Sequence, residues 1–221
     1  MCNAYTVRTP AHRFYEDLAQ LGLPLVSPER ARIPNLQPRD ITRPTNTLPV
    51  FRPVDAGNPG AGLEMIDLRW WLVPFFHKGP DVKAWKAMCT NAKAETVRTS
   101  ATFREPYRRR RCLVPADGFY EWTGPAGAKT RHLFTPSDGN WFAFAGLWDR
   151  WKSAEGPIDS FTIITTTPGP DAAPFHSRQP VILRQREFAR WLDLSADPHD
   201  LLVSSPAGDL CVDPPEPAAA A

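Results

Sequence analysis

Apolar residues along this chain fall in short runs broken by proline and glycine, and the runs follow two periods. Over residues 5–22 the apolar positions Phe14, Tyr15, Leu18 and Leu21, with Leu23 just beyond, recur at helical spacing and predict a short amphipathic helix. Most other runs are strand-like. Leu48 to Phe51, Glu64 to Trp71, Arg111 to Pro115, Gly118 to Trp122, His132 to Phe134 and Trp141 to Trp148 read as strands. Phe161 to Thr167 is a β-branched and apolar run closed by Pro168 and Gly169, and Val181 to Leu183 is a brief strand. Asp81 to Cys89 and Arg186 to Leu192 read as short helices.

Between these runs, residues 24–46 are rich in Pro and Arg and read as an ordered loop. Asp55 to Gly62 reads as a turn by its Asp, Gly, Asn and Pro content. No repeat and no linker divides the chain. The expected fold is therefore one α+β domain over residues 1–213, with a curved, mainly antiparallel sheet or barrel-like core flanked by short helices. Residues 214–221 have little to bury and are expected to form a disordered tail.

Composition sharpens this picture in three places. The 25 prolines among 221 residues argue against long helices, because proline lacks the N–H that a helix interior uses. No apolar run approaches the roughly 20 residues needed to cross a bilayer, and residues 1–20 do not read as a signal peptide. A cytoplasmic protein is expected, nucleoid-associated in a bacterium. The net charge of +2 is too small to declare a nucleic-acid binder, so any such surface must come from local clustering. The four cysteines, Cys2, Cys89, Cys112 and Cys211, show no CxxC spacing and no zinc-finger histidines. No metal site and no cofactor are expected, and a reducing compartment is favoured over a disulfide framework.

The chemistry that stands out is at position 2. Cysteine is small enough for removal of the preceding methionine, which would leave an amine and a thiol on adjacent carbons. An α-amine, with a pKa of about 8, is partly neutral at physiological pH and attacks aldehydes. The thiol then closes on the imine carbon to give a five-membered thiazolidine, a product no internal cysteine forms. A Met-Cys start alone is also compatible with an ordinary residue 2.

Four further segments follow in order: Arg69-Trp70-Trp71-Leu72-Val73-Pro74, Asn91-Ala92-Lys93-Ala94-Glu95-Thr96, and Arg111-Cys112-Leu113-Val114-Pro115-Ala116-Asp117-Gly118-Phe119-Tyr120-Glu121-Trp122, then Thr165-Thr166 with His176-Ser177-Arg178-Gln179-Pro180-Val181-Ile182-Leu183. Together with Cys2 this set resembles the SRAP family, the SOS-response-associated peptidase or abasic-site-processing proteins. The resemblance runs from the first residues to about Leu183.

That resemblance implies a strand-rich domain with a basic channel for single-stranded DNA. It implies that Cys2 bonds covalently to abasic sites and shields them during the response to DNA damage. The implied partner is single-stranded DNA carrying abasic sites, bound by a monomer. Carried over by position, Asn91, Glu121 and His176 join Cys2 as the catalytic set. Glu121 would hold or deprotonate the Cys2 amine, His176 would protonate the sugar ring oxygen, and Asn91 would bond the Cys2 backbone or the opened sugar. Lys93, Arg104, Arg178, Phe76, Trp71, Pro44 and Thr165 are the implied DNA contacts, with Trp70 in the core and Phe76 a wedge against the bases. The sequence departs from the family at Asn3 and Ala4, where Gly and Arg are usual, at Lys93 in place of Arg, at Trp71 in place of Gly, and over Ile41-Thr42-Arg43-Pro44, where only the proline matches.

Each residue also has a plainer reading. Glu121 could lie on the solvent face of an alternating strand, although strand alternation places it on the same side as Phe119. His176 could cap or fill the core, and Asn91 could be a turn residue. The run Arg108-Arg109-Arg110-Arg111 reads as a solvated face or a linker, and the resemblance implies that one or two of its side chains face DNA. Two other functions stay open: a cysteine peptidase acting on Met1 or other peptides, with Cys2 as nucleophile and His176 as base, and a non-covalent single-strand-binding module.

Overall fold

The two strand-like runs on either side of Asp55–Gly62 pair as a hairpin, in a register running from Thr47↔Arg69 to Pro53↔Leu63. The computed structural model describes residues 2–26, 36–55, 58–214 and 216–217. Met1, residues 27–35 of the Pro- and Arg-rich segment, residues 56–57 of the turn, and tail residues 215 and 218–221 lie outside them.

In chain order the described elements begin with β1 (Tyr5–Val7), α1 (Ala11–Gln20), β2 (Arg39–Thr42), β3 (Thr47–Pro53), β4 (Leu63–Trp70) and β5 (Asn91–Lys93). Next come α2 (Arg104–Arg109), β6 (Arg111–Ala116), β7 (Gly118–Thr123), β8 (Thr130–Pro136), β9 (Phe142–Ser153) and β10 (Gly156–Thr166). The chain continues through β11 (Gln179–Pro180), β12 (Ile182–Leu183), α3 (Phe188–Leu192), β13 (Leu210–Val212) and β14 (Glu216–Pro217). This is the α+β class read from the sequence.

Strands β10, β4, β3, β6 and β9 are neighbours in that order, and β9 pairs back to β10, so these five close into a barrel. Four of its five seams are antiparallel, and β4 with β10 is parallel. Closure leaves these strands no free edge. A second sheet, β13-β8-β7-β1-β2, covers one side, with β14 beside β8. The core between the two sheets is aromatic. Tyr5 sits 5.2 Å from Trp70 and 5.4 Å from Phe144, while Trp70 stacks on Phe161 and Phe119 on Phe134. Such tilted and stacked ring pairs add to the apolar area they bury. Helix α1 buries Phe14 against Phe51 and Trp141, at 5.3 and 4.7 Å.

Several elements differ from expectation for identifiable reasons. The segment 24–46 contains β2, an edge strand with mostly exposed side chains that exists through its pairing with β1. Asp81–Cys89 forms one 3-10 turn, Val82–Ala84, with the Asp81 carboxylate accepting from Ala84 N, and no longer helix. Beyond it the chain turns inward, because the Trp71 indole donates to Ala87 O and the Trp85 indole to Cys89 Sγ. Strand β5 and helix α2 carry too little periodicity to be read in advance. Within 214–221, Glu216–Pro217 pairs with Arg131–Thr130 of β8.

Candidate active site

Cys2 precedes β1, and the pairing of β1 with β7 (Tyr5↔Phe119, Thr6↔Gly118) fixes where it lies. The Tyr120 N–H donates to Ala4 O at 2.9 Å, which carries the ladder one step towards the amino end and brings Cys2 to the Glu121 end of β7. On the other side, β5 runs parallel to β10 with Asn91 opposite Ile163. The Trp70 indole donates to Thr90 O at 2.9 Å and ties the approach to β5 to the core. Asn91 is thereby delivered to Cys2: its Nδ2 donates to Cys2 O at 3.0 Å and to Thr90 Oγ1 at 3.2 Å.

His176 arrives from the loop between β10 and β11. This loop is tight: Ala173 N donates to Gly169 O and His176 N to Ala172 O. A Cβ at position 169 would lie 2.1 Å from Ser205 O, so only glycine fits there. The loop places His176 Nε2 4.0 Å from Glu121 Oε2. The Arg178 N–H donates to His176 Nδ1 at 2.9 Å. The same Nδ1 lies 3.0 Å from Arg178 O, so the loop backbone fixes the ring with Nε2 facing Glu121.

The electrostatics follow from burial. Glu121 is 3% exposed, and loss of hydration pushes its pKa from 4.5 up to about 7. A carboxyl at that value exchanges a proton at neutral pH. Cys2 is fully buried, and burial together with the Glu121 charge drives its thiol far above the ordinary value, so it is protonated. Burial, aided by the Arg178 charge, holds His176 below its ordinary value, as a neutral ring near pH 7. The four residues that the resemblance implied as a catalytic set therefore converge, with one neutral thiol, one carboxyl poised near neutrality and one neutral imidazole.

The sequence profile described as SOS response associated peptidase (SRAP) matches residues 1–213. The chain belongs to the SRAP family. The abasic site processing protein YoqW of Bacillus subtilis is 38% identical over 149 residues, which are 66% of this chain and 65% of that protein. The abasic site processing protein HMCES of Gallus gallus is 31% identical over 156 residues, 61% of this chain and 46% of that protein. The match thus spans less than two thirds of these curated relatives. A crystal structure of a protein from Bordetella bronchiseptica is similar with a TM-score of 0.72 at 26% identity, covering 96% of this chain and 98% of that one. One from Bacteroides thetaiotaomicron shares the fold with a TM-score of 0.77 at 24% identity, covering 96% and 90%.

In this SRAP chain the residues named for DNA contact fall into two groups. Lys93 on β5, Arg104 at the start of α2 and Phe76 (37% exposed) present their side chains to solvent. Pro44 lies in a half-buried turn, and Trp71 is half-buried with φ of 125°. Thr165 and Arg178 are turned inward. Thr165 is fully buried and donates to Ala92 O at 3.4 Å. Arg178 is held by Glu95 through both ends of its fork, Nη1–Oε1 at 2.6 Å and Nη2–Oε2 at 3.0 Å, and donates to Thr165 O at 2.6 Å.

Two residues near the site escaped the sequence reading. Glu95, inside the Asn91–Thr96 motif, occupies the Arg178 fork. His132 stands directly across from Glu121 in the β7–β8 register, donates to or accepts from Thr123 Oγ1 at 2.8 Å, and packs against Phe175. Only the hairpin pairing reveals it. Among the described residues no group of three or more His, Cys, Asp or Glu is gathered as metal ligands, and all four cysteines are free thiols. Among the described residues no helix is long and apolar enough to cross a membrane.

Proposed function

We propose that this SRAP protein processes abasic sites in single-stranded DNA by covalent capture on Cys2. The observation that carries the reading is a protonated Cys2 thiol buried beside a carboxyl whose pKa is about 7. Removal of Met1 turns the Cys2 nitrogen into an amine within this setting.

The chemistry divides into four steps. His176 relays the proton of the C1 hydroxyl to the sugar ring oxygen as the ring C1–O bond breaks, which opens the deoxyribose to its aldehyde. The Cys2 amine adds to the aldehyde carbon, and Glu121 carries one proton from the nitrogen to the oxygen to give the neutral carbinolamine. Glu121 then carries the second proton of the nitrogen to the carbinol hydroxyl, which leaves as water and gives the imine. The thiol sulfur then bonds to the imine carbon while its proton passes to nitrogen. One aldehyde and one aminothiol give one thiazolidine and one water, with no oxidant or metal. Asn91, bonded to Cys2 O, fixes the rotation of the aminothiol. Lys93, Arg104 and Phe76 provide the phosphate contacts and the stacking edge that seat the strand.

The thiol's surroundings weigh against general proteolysis. Nucleophilic peptidase cysteines sit in positive surroundings that favour the thiolate. Here burial and Glu121 act in the opposite sense. Amine-first capture does not need a thiolate.

The test is the intact mass of the product formed with an abasic oligonucleotide. The mature protein should yield a species equal to protein plus DNA less one water. Protein that retains Met1 should yield none. A product from the Met1-bearing protein would contradict the mechanism.

A further inference from the structure

A cleft of about 700 Å³ opens between the end of α2 and the loop that follows α3. Arg98, Arg108 and Arg109 line it together with Tyr107, Ser195 and Asp197. A fourth arginine, Arg111, reaches the same cleft but is committed to the fold. It is buried and donates to the carbonyls of Tyr107, Trp191, Asp193 and Ala196.

The other three arginines are differently placed. Arg108 and Arg109 are 67% and 68% exposed and share one carboxylate, Glu105, at 3.6 and 3.5 Å. Those separations are long for hydrogen bonds, so both guanidinium forks stay turned to solvent. Arg98 lies 3.1 Å from Asp197, whose other oxygen accepts from the Tyr107 hydroxyl at 2.5 Å. The cleft is thus a concentration of positive charge in a chain whose net charge is only +2.

The lining indicates what kind of anion fits. The Tyr107 ring is 3% exposed and offers no surface on which a base could stack. Guanidinium forks match phosphate oxygens in a planar, two-bond fashion. The cleft is linked to the Cys2 site along the chain. Arg98 follows Glu95 by three residues, so their Cα atoms lie within about 11 Å, and Glu95 holds Arg178 beside His176. Exposed Arg104 lies on the chain between Arg98 and the Arg108–Arg109 pair.

We infer that this arginine cleft is a second binding site, which takes the phosphodiester backbone of the captured strand a few nucleotides from the abasic position. It anchors the strand without reading bases. The inference rests on the reading of Cys2 as the capturing residue.

The experiment compares wild type with the Arg108→Gln/Arg109→Gln double variant on abasic oligonucleotides of about five and about 25 nucleotides, which bracket single-strand site sizes. Both substitutions are at exposed positions outside the catalytic set. The expected result is unchanged crosslinking of the short oligonucleotide. For the long one, the slope of log affinity against log salt, measured without crosslinking on undamaged DNA, should fall by about 0.7 per lost phosphate contact. An unchanged slope and affinity for the long oligonucleotide would overturn the inference. If polyglutamate, and not the long oligonucleotide, loses binding in the double variant, the cleft docks acidic protein and the inference is likewise overturned. Failure of wild type to crosslink either oligonucleotide would count against the Cys2 reading alone, and the undamaged-DNA slope still decides the cleft.

Discussion

The Asn91 side-chain amide donates to the Cys2 carbonyl at 3.0 Å, across 89 positions of sequence. This bond couples strand β5, and through it the barrel, to the residue proposed to capture the abasic site. A typical buried hydrogen bond contributes about 1 kcal/mol net, and about 1.4 kcal/mol in a barrier is a tenfold change in rate. Asn91→Ala should therefore slow adduct formation by about fivefold, because Cys2 loses its fixed rotation while its chemistry is intact. Single-turnover crosslinking kinetics check this.

Glu121 gives a pH signature. Its folded-state pKa of about 7 lies above the ordinary 4.5, so the folded chain holds a proton that the unfolded chain releases between those values. Stability attributable to this group is therefore present below about pH 4.5 and is lost as pH rises towards 7. Glu121→Gln should match wild type near pH 4 and exceed it at about pH 8, by up to about 3 kcal/mol. Denaturant unfolding at the two pH values measures the difference. The same variant should crosslink poorly, since glutamine cannot shuttle the proton.

Glu95 fills the fork of Arg178. A phosphate entering that fork has to displace the carboxylate. Glu95→Gln should therefore tighten binding of undamaged single-stranded DNA at low salt and steepen its salt dependence by about 0.7, the contribution of one additional phosphate contact. Fluorescence anisotropy over a salt series reads the slope. A weaker, flatter profile would mean that Glu95 orients Arg178 and does not compete with phosphate.

Trp71 occupies a backbone conformation, φ of 125°, that only glycine adopts without strain. Its indole compensates by donating to Ala87 O at 3.0 Å. Trp71→Ala and Trp71→Gly both remove the indole, so the difference between them isolates the backbone. The glycine variant should be the more stable by about 1–2 kcal/mol, the reverse of the order found in an ordinary strand. Paired thermal unfolding curves test this.

The strands of the barrel were legible because alternation and bounding Pro or Gly are local signals. Trp141–Trp148 and Phe161–Thr167 lie within β9 and β10 but for the end residues Trp141 and Thr167. Strands β2 and β5 were not legible. Arg39–Thr42 and Asn91–Lys93 owe their form to partners at Tyr5–Val7 and Ile163–Thr165, far away in sequence. The convergence of Cys2, Asn91, Glu121 and His176 followed from motif resemblance. What the motifs did not convey was pairing within the site. Nothing in the string shows that Glu95 occupies Arg178, that Thr165 faces inward, or that Arg111 alone of its run is spent on backbone carbonyls. Those facts depend on side-chain direction, which strand pairing and loop closure set.

On this mechanism Cys2 itself forms the bond. The most direct measurement incubates mature wild type and Cys2→Ala with single-stranded DNA bearing one abasic site, made by excising uracil, and resolves the products under denaturing conditions. Wild type should give a heat-stable protein–DNA band, and Cys2→Ala should give none. A band of equal intensity from Cys2→Ala would contradict the account.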